Sequence, residues 1–211
     1  MTQKDLDYFK QLGFSKDGIV TPVGLQLTDY QKFKIESKQP AISFIGSLDW
    51  VPNQEGLIWF LEEVWLDLKK QLPDLELHIA GRNTPEWIFQ KAGNGVIVHG
   101  EVPDSKVFLR KYPLTIVPLF SGSGMRVKIL EGLALSRVVV TTTLGLEGIA
   151  AQDGQEVLIA DNQQAFIEKI TSVFSDKSLQ LSLMQKARLF IEKNYDNKLI
   201  AKNVLKKYRQ L

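Results

Sequence analysis

Residues 114–142 read LTIVPLFSGSGMRVKILEGLALSRVVVTT, and this stretch sets the fold. Its ends, Leu114 to Leu119 and Val138 to Thr142, are short apolar runs without polar alternation, the pattern of strands covered on both faces. Between them lie a glycine-rich turn and a helix. Strand, turn, helix and strand in series form the unit of a parallel sheet. Gly122 and Gly124 flank Ser123, so the backbone can come close to a ligand, and Ser123 is placed to cap the helix. A helix start exposes free N–H donors and a partial positive charge, which suits a phosphate. Arg126 and Lys128 follow in the first turn or two, where cations oppose the helix dipole at about a few tenths of a kcal/mol each. An anion bound at that end reverses the sign of the cost. On spacing alone, an ordinary capped helix with solvated side chains fits equally well. Neither a Walker loop nor a full G-x-G-x-x-G is present, although GSG begins the latter.

The same alternation extends to both sides. AISFIG (41–46), LELHIAG (75–81), GVIVHG (95–100) and EVLIA (156–160) read as further strands. LIWFLEEVWLDLKKQL (57–72) carries Leu57, Phe60, Leu61, Val64 and Leu68 near one face of a helix. A short helix is expected around Pro103 to Lys111. Three helical stretches then run in series: Gln163 to Phe174, Ser178 to Asn194 and Asn197 to Leu211. The fold class is therefore α/β, a Rossmann-like doubly wound parallel sheet with a helical C-terminal tail. The first forty residues stand apart: a helix over Thr2 to Leu12, a lone strand over Gly18 to Gly24, and a charged linker, DYQKFKIESKQP. The domains expected are 1–40, the trailing edge of another domain plus linker, and 41–211, the sheet domain.

Composition narrows the function. The chain has 211 residues, 44% hydrophobic, enough for one sizeable α/β core. A net charge of +2 from 26 basic and 24 acidic residues gives no general field for nucleic acid, so any anion site is local. With no cysteine there is no disulfide framework and no zinc thiolate cluster. His78 and His99 end strand-like runs and read as packing or loop residues, so no metal site is expected. The N-terminus lacks an apolar targeting segment and every apolar run is shorter than the ~20 residues of a membrane span. A cytoplasmic protein is expected, and the basic amphipathic tail allows peripheral contact with a membrane.

In an open parallel sheet ligands bind beyond the carboxyl ends of the strands. The loops there are Ser47 to Asn53, Gly81 to Asn83, Gly100 to Val102, Phe120 to Lys128 and Thr142 to Gly148, and nearly all begin with Gly, Ser, Thr or another polar residue. Glu131 lies eight residues beyond Ser123, about 12 Å if the whole stretch is helical. That spacing suits phosphates at the helix start and a ribose farther along, although taken alone Glu131 reads rather as a solvent-exposed helix residue. Trp59 and Trp65 read as packing residues, while Trp50 sits in a rim loop within reach of substrate. Asp49 and Glu55 do not read as a hydrolase pair, because nothing places them across one glycosidic bond.

From Ala41 to Leu211 the chain resembles the C-terminal, donor-binding domain of GT-B glycosyltransferases of the family 4-like, group 1 type. The matching pieces, in order, are FIGSLDWVPNQEGLIWF, LELHIAGR, VHGEVPD, VPLFSGSGMRVKILEGLALSRVVVTT and LGLEG. Thr2 to Gly24 resembles the last helix and strand of the N-terminal acceptor domain. The resemblance implies a glycosyltransferase that moves a sugar from a UDP- or GDP-linked donor to an acceptor, with retention, no metal and no further cofactor. It implies Glu131, the second glutamate of E-x7-E, on the ribose, and Gly122, Ser123, Gly124, Met125, Arg126 and Lys128 around the diphosphate and sugar. It also implies that Arg126 and Lys128 are the catalytic pair. By the same resemblance Gly46 and Ser47 would fall near the phosphates, Arg82 and Val102 near the nucleotide, Asn53 in the donor site, and Glu147 with Gly148 near the sugar. Ser123 replaces the first glutamate and Ser47 stands where an arginine is expected, as in subgroups whose basic pair sits at positions like Arg126 and Lys128. The acceptor and its activating base would belong to the missing N-terminal domain. Surface polysaccharide assembly is the process expected by analogy. The alternatives are a nucleotide-sugar 2-epimerase of the same architecture and a non-catalytic nucleotide-sugar-binding module.

Overall fold

The computed structural model describes residues 3–30 and 39–209. Helix α1 (Gln3–Gln11) precedes a single 3-10 turn (Leu27–Asp29). Then come β1 (Ala41–Ile45), α2 (Val51–Trp59), a π-helical turn (Phe60–Val64) and α3 (Trp65–Gln71). Next are β2 (Glu76–Ala80), α4 (Glu86–Phe89), β3 (Val96–Gly100), α5 (Ser105–Leu109) and β4 (Leu114–Val117). The remainder is α6 (Val127–Ala134), β5 (Val138–Thr141), β6 (Leu158–Ile159), α7 (Gln163–Ser175), α8 (Lys177–Asn194) and α9 (Asn197–Tyr208).

The six strands form one sheet in the order β3-β2-β1-β4-β5-β6. Every pairing is parallel, with Ile42 opposite Leu77 and Leu114, and Thr115 opposite Val139. The order reverses between β1 and β4, so the loops after these strands diverge and leave a crevice. Alternate residues explain the two cores. Ile42 and Phe44 join Ile79, Ile116 and Val140 on one face, covered by Phe60, Trp65, Leu68, Phe166 and Ile170. Ala41 and Ile45 join Val117 and Val139 on the other, covered by Leu109, Leu130, Leu133 and Ile191. The doubly wound sheet expected from the sequence is what forms.

Several boundaries differ from expectation. The helix drawn from Leu57 begins at Val51, because Pro52 suits the first turn of a helix. It then slips through the π-helical turn, which keeps Phe60, Leu61, Val64 and Trp65 all buried. Gly18 to Gly24 is not a strand. Just beyond it, an isolated bridge joins Leu25 to Asp196, with the Leu25 N–H donating to the Tyr195 carbonyl at 2.7 Å. The centre of the expected linker, residues 31–38, lies outside the described residues, as do Thr2 and the last two residues of the expected final helix.

Candidate functional site

The crevice at the switch point opens into a cleft of about 530 Å3. Its walls come from four segments beyond the strands: Gly46, Ser47, Trp50 and Asn53 after β1, Gly81 and Arg82 after β2, Val102 and Ser105 after β3, and Ser123 and Met125 to Lys128 after β4. Glu131 closes one side from α6.

Helix α6 does not start where the sequence suggested. Ser123 is not its cap. Arg126 occupies the N-cap position, no side chain caps the helix, and the first helical residue is Val127. The loop stays extended because Gly122 and Gly124 hold φ values of 91° and 89°, which side-chain-bearing residues rarely adopt. Glu131 is consequently about one turn, roughly 6 Å, into the helix rather than 12 Å from its start.

Arg126 turns back on its own loop. Its Nη1 donates to the carbonyls of Ser123 and Gly124, while Nε and Nη2 are buried without a hydrogen-bond partner. The residue is 6% exposed. Its guanidinium lies 5.6 Å from the centre of the Trp50 ring, a cation–π distance. Burial lowers its proton affinity, and the Glu147 carboxylate pulls the other way.

Lys128, in the first turn of α6, reaches across to the end of β1. Its Nζ donates to the Ile45 carbonyl at 3.1 Å and to Asn53 Oδ1 at 2.6 Å, 5.0 Å from the Phe44 ring. Asn53 is itself fixed by donating to the Ser47 carbonyl at 2.7 Å. The residue as a whole is half-buried, and the ammonium is pushed down from 10.5 to about 7, first by burial and then by Arg126. A Cβ on Gly46 would stand 2.6 Å from Asn53 Nδ2 and 3.0 Å from the lysine Nζ, so glycine keeps this corner open.

Glu131 is half-buried. Tyr30 Oη donates to its Oε1 at 3.0 Å, and Ser105 Oγ approaches Oε2 at 3.4 Å. Burial raises the Glu131 carboxyl, and these hydroxyl donors offset part of the rise.

Of the remaining expected site residues, Gly46, Ser47, Arg82, Val102 and Met125 line the cleft with those above. Gly122 sits against Trp50 at its edge. Gly124 and Glu147 face a second cleft of about 680 Å3, shared with Asp5, Asp7, Tyr8 and Gln11 around α1. Ser123 lines both. Glu147 accepts from the Gly124 N–H at 3.2 Å, and Gly148 follows it with φ 78°. Asp49 accepts from Ser47 and Asn83, which hold its carboxyl below the usual range, and Glu55 accepts from Ser121. These two acids tie loops together. Trp59 packs edge-on against Phe120 and Phe166, and Trp65 donates to the Asn94 carbonyl, as packing residues do. His78 bonds Glu76 and His99 and stacks on Tyr112. Among the described residues no group of three or more His, Cys, Asp or Glu could hold a metal ion, and no helix is long and apolar enough to cross a membrane.

Sequence reasoning missed Tyr30 and Ser105. Tyr30 is 101 residues from the carboxylate it bonds, and no local spacing signals that distance. Ser105 could have been found from its place in the loop after β3, one residue beyond the capping Asp104.

A doubly wound sheet with buried cations at its switch point defines a Rossmann-like α/β domain with a cleft suited to an anionic ligand. Residues 39–176 match the family model for glycosyl transferases, group 1, and the chain belongs to that family. A Klebsiella pneumoniae protein described as an uncharacterized 44.6 kDa protein in the cps region is 27% identical over 187 residues, covering 84% of this chain and 47% of that one. The chain thus spans about half the length of this curated relative. Among solved structures, S. aureus TarM in complex with fondaparinux, α-GlcNAc-glycerol and UDP superposes with TM-score 0.75 at 19% identity, over 98% of this chain and 42% of that one. Anabaena HepE in complex with UDP and glucose gives 0.75 at 13%, over 100% and 62%. The C-terminal domain of the group 1 protein LpcC from Francisella tularensis gives 0.62 at 20%, over 85% and 100%. These likenesses concern the fold.

Proposed function

We propose that this chain is the nucleotide-sugar-binding half of a glycosyltransferase, with the diphosphate and ribose of the donor in the cleft beside α6. The observation that carries the reading is the pair of cations lining one cleft. Arg126 buries two nitrogens without partners, and Lys128 is held near neutrality by burial. A diphosphate supplies acceptors to those two nitrogens and a counter-charge to Lys128. As the bond from donor sugar to diphosphate breaks, negative charge grows on the leaving oxygen. Arg126, Lys128 and the start of α6 stabilise it, the kind of contribution that is commonly large in catalysis.

In this reading Glu131 accepts from the ribose hydroxyls, the Val102 main chain meets the base, and Gly46, Ser47 and Arg82 border the phosphates. Asn53 holds Lys128 in place. The sugar extends past the Gly122–Gly124 loop toward Glu147 and Gly148. UDP in the TarM and HepE complexes supports a uridine donor. The proposal extends, on resemblance to the family, to retention at the anomeric carbon, to no obligatory metal, and to an acceptor site on an N-terminal domain outside this chain. The cps-region relative supports a role in polysaccharide biosynthesis.

Calorimetric titration with UDP, GDP, ADP and TDP tests the reading. One nucleotide is expected to bind, and Arg126→Ala and Glu131→Ala each weaken it by about tenfold or more, the loss of a charge-assisted hydrogen bond. Unchanged affinity in both variants, or no binding by this chain and by the full-length protein alike, sinks it.

A further inference from the structure

Glu131 is gripped by a residue that precedes the sheet in the chain and packs in the same core as α6. Tyr30, at the end of the N-terminal segment, is 6% exposed and aims its hydroxyl at Oε1. Three contacts fix the tyrosine. Its carbonyl accepts from Arg188 Nη1 at 2.6 Å, its N–H donates to the Leu27 carbonyl at 3.1 Å, and the ammonium of Lys106 lies 5.5 Å from its ring centre. The same Arg188 nitrogen donates to the Ala134 carbonyl at the end of α6. Tyrosine and glutamate are therefore registered to one helix through two independent links. Tyr30 does not line the cleft, whereas Ser105 and Glu131 do. The bond to Oε1, at 3.0 Å, falls within the O–H···O range while the 3.4 Å contact to Oε2 lies beyond it, which leaves Oε2 as the less engaged oxygen, able to accept from a ligand hydroxyl.

We propose that Tyr30 is a positioning residue for nucleoside recognition: its hydroxyl fixes the Glu131 carboxylate so that Oε2 accepts from a ribose hydroxyl. This rests on Glu131 being the ribose-binding group. A carboxylate free to rotate loses part of its binding energy to ordering; one already held does not. The segment before the sheet thereby takes part in discriminating ribose from sugars without hydroxyls, although it never touches the ligand.

Titration of this chain with UDP and GDP, and with their 2′,3′-dideoxy counterparts, separates positioning from tethering. In Tyr30→Phe, which keeps the ring under Lys106, the binding ribonucleotide is expected to weaken by about five- to tenfold while its dideoxy form stays within about twofold. Equal loss for both forms marks a general effect on the fold and overturns the proposal, as does no loss for the ribonucleotide. Glu131→Gln in parallel tells the two readings apart. If it abolishes the preference for ribose and Tyr30→Phe does not reduce it, only the role of Tyr30 fails. If Glu131→Gln leaves that preference intact, or if no nucleotide binds this chain or the full-length protein, the donor-site reading fails and this inference with it.

Discussion

At the scale of single residues, Lys128 has the most measurable consequence. Its value of about 7, against 10.5 for an ordinary lysine, means that the folded protein has shed this proton over a range where the unfolded chain still holds it. Stability therefore rises with pH between about 7 and 10.5, and the cost of enclosing the ammonium is complete below about 7. Lys128→Met is expected to flatten that part of the stability curve in chemical denaturation at a series of pH values. If the donor diphosphate sits beside Lys128 as proposed, it restores the lysine's proton affinity, and binding near pH 8 is expected to take up as much as one proton. Calorimetry in buffers of differing ionisation enthalpy detects the uptake, which Lys128→Met should remove. The glycine pair was legible because its conformational freedom lies in residue type, whereas Glu131 was singled out through family resemblance and its spacing from the helix start was overread. The N-cap was misread because Arg126, not Ser123, turns the chain into the helix, and a serine between glycines looks like a cap whether or not it serves as one. Tyr30 was not legible at all, since the contact that gives it meaning is made by the fold.

At the scale of elements, close approach decides more than propensity. Gly56, within α2, passes so near the loop after β4 that a Cβ would stand 1.7 Å from the Pro118 carbonyl oxygen. Gly56→Ala must push the helix off the sheet. It is expected to lower stability by about 1–3 kcal/mol, as overpacked core substitutions do, although alanine favours helices in general. A thermal melt in which the variant gains stability rejects that packing. Arg188 is the second such point, joining α8 to the end of α6 and to the Tyr30 carbonyl. Arg188→Ala leaves both carbonyls short of a donor and should lower the melting temperature by several degrees, in line with about 1–3 kcal/mol. The succession of strands and helices was readable, because apolar runs and helical periods are local. The π-helical turn and short α4 were not, since a slip of period and a four-residue helix both fall below what spacing resolves. Gly18 to Gly24 carries strand-like residues but meets no neighbouring strand, and a strand needs a partner for its backbone.

At the scale of the whole molecule, the parallel sheet was predictable from its continuous apolar strands, but the position of the cleft depends on the strand order, which reverses between β1 and β4. The first cleft draws all its walls from residues 45–131. A chain beginning at Leu25 is therefore expected to bind nucleotide within about twofold of the full 211 residues, since ligand contacts set affinity more than remote surface does. It keeps Tyr30 and the Leu25 bridge to Asp196, and loses the second cleft beside α1. A large loss of affinity on this truncation would show that α1 shapes the donor site. Trp50 gives the molecule an optical gauge of its own. Of four tryptophans, Trp59, Trp65 and Trp87 pack on the core, while Trp50 stands 38% exposed over the Arg126 guanidinium. Any ligand that draws that cation away changes the surroundings of one indole and leaves the other three alone. Emission colour then reports occupancy in real time, with no label attached.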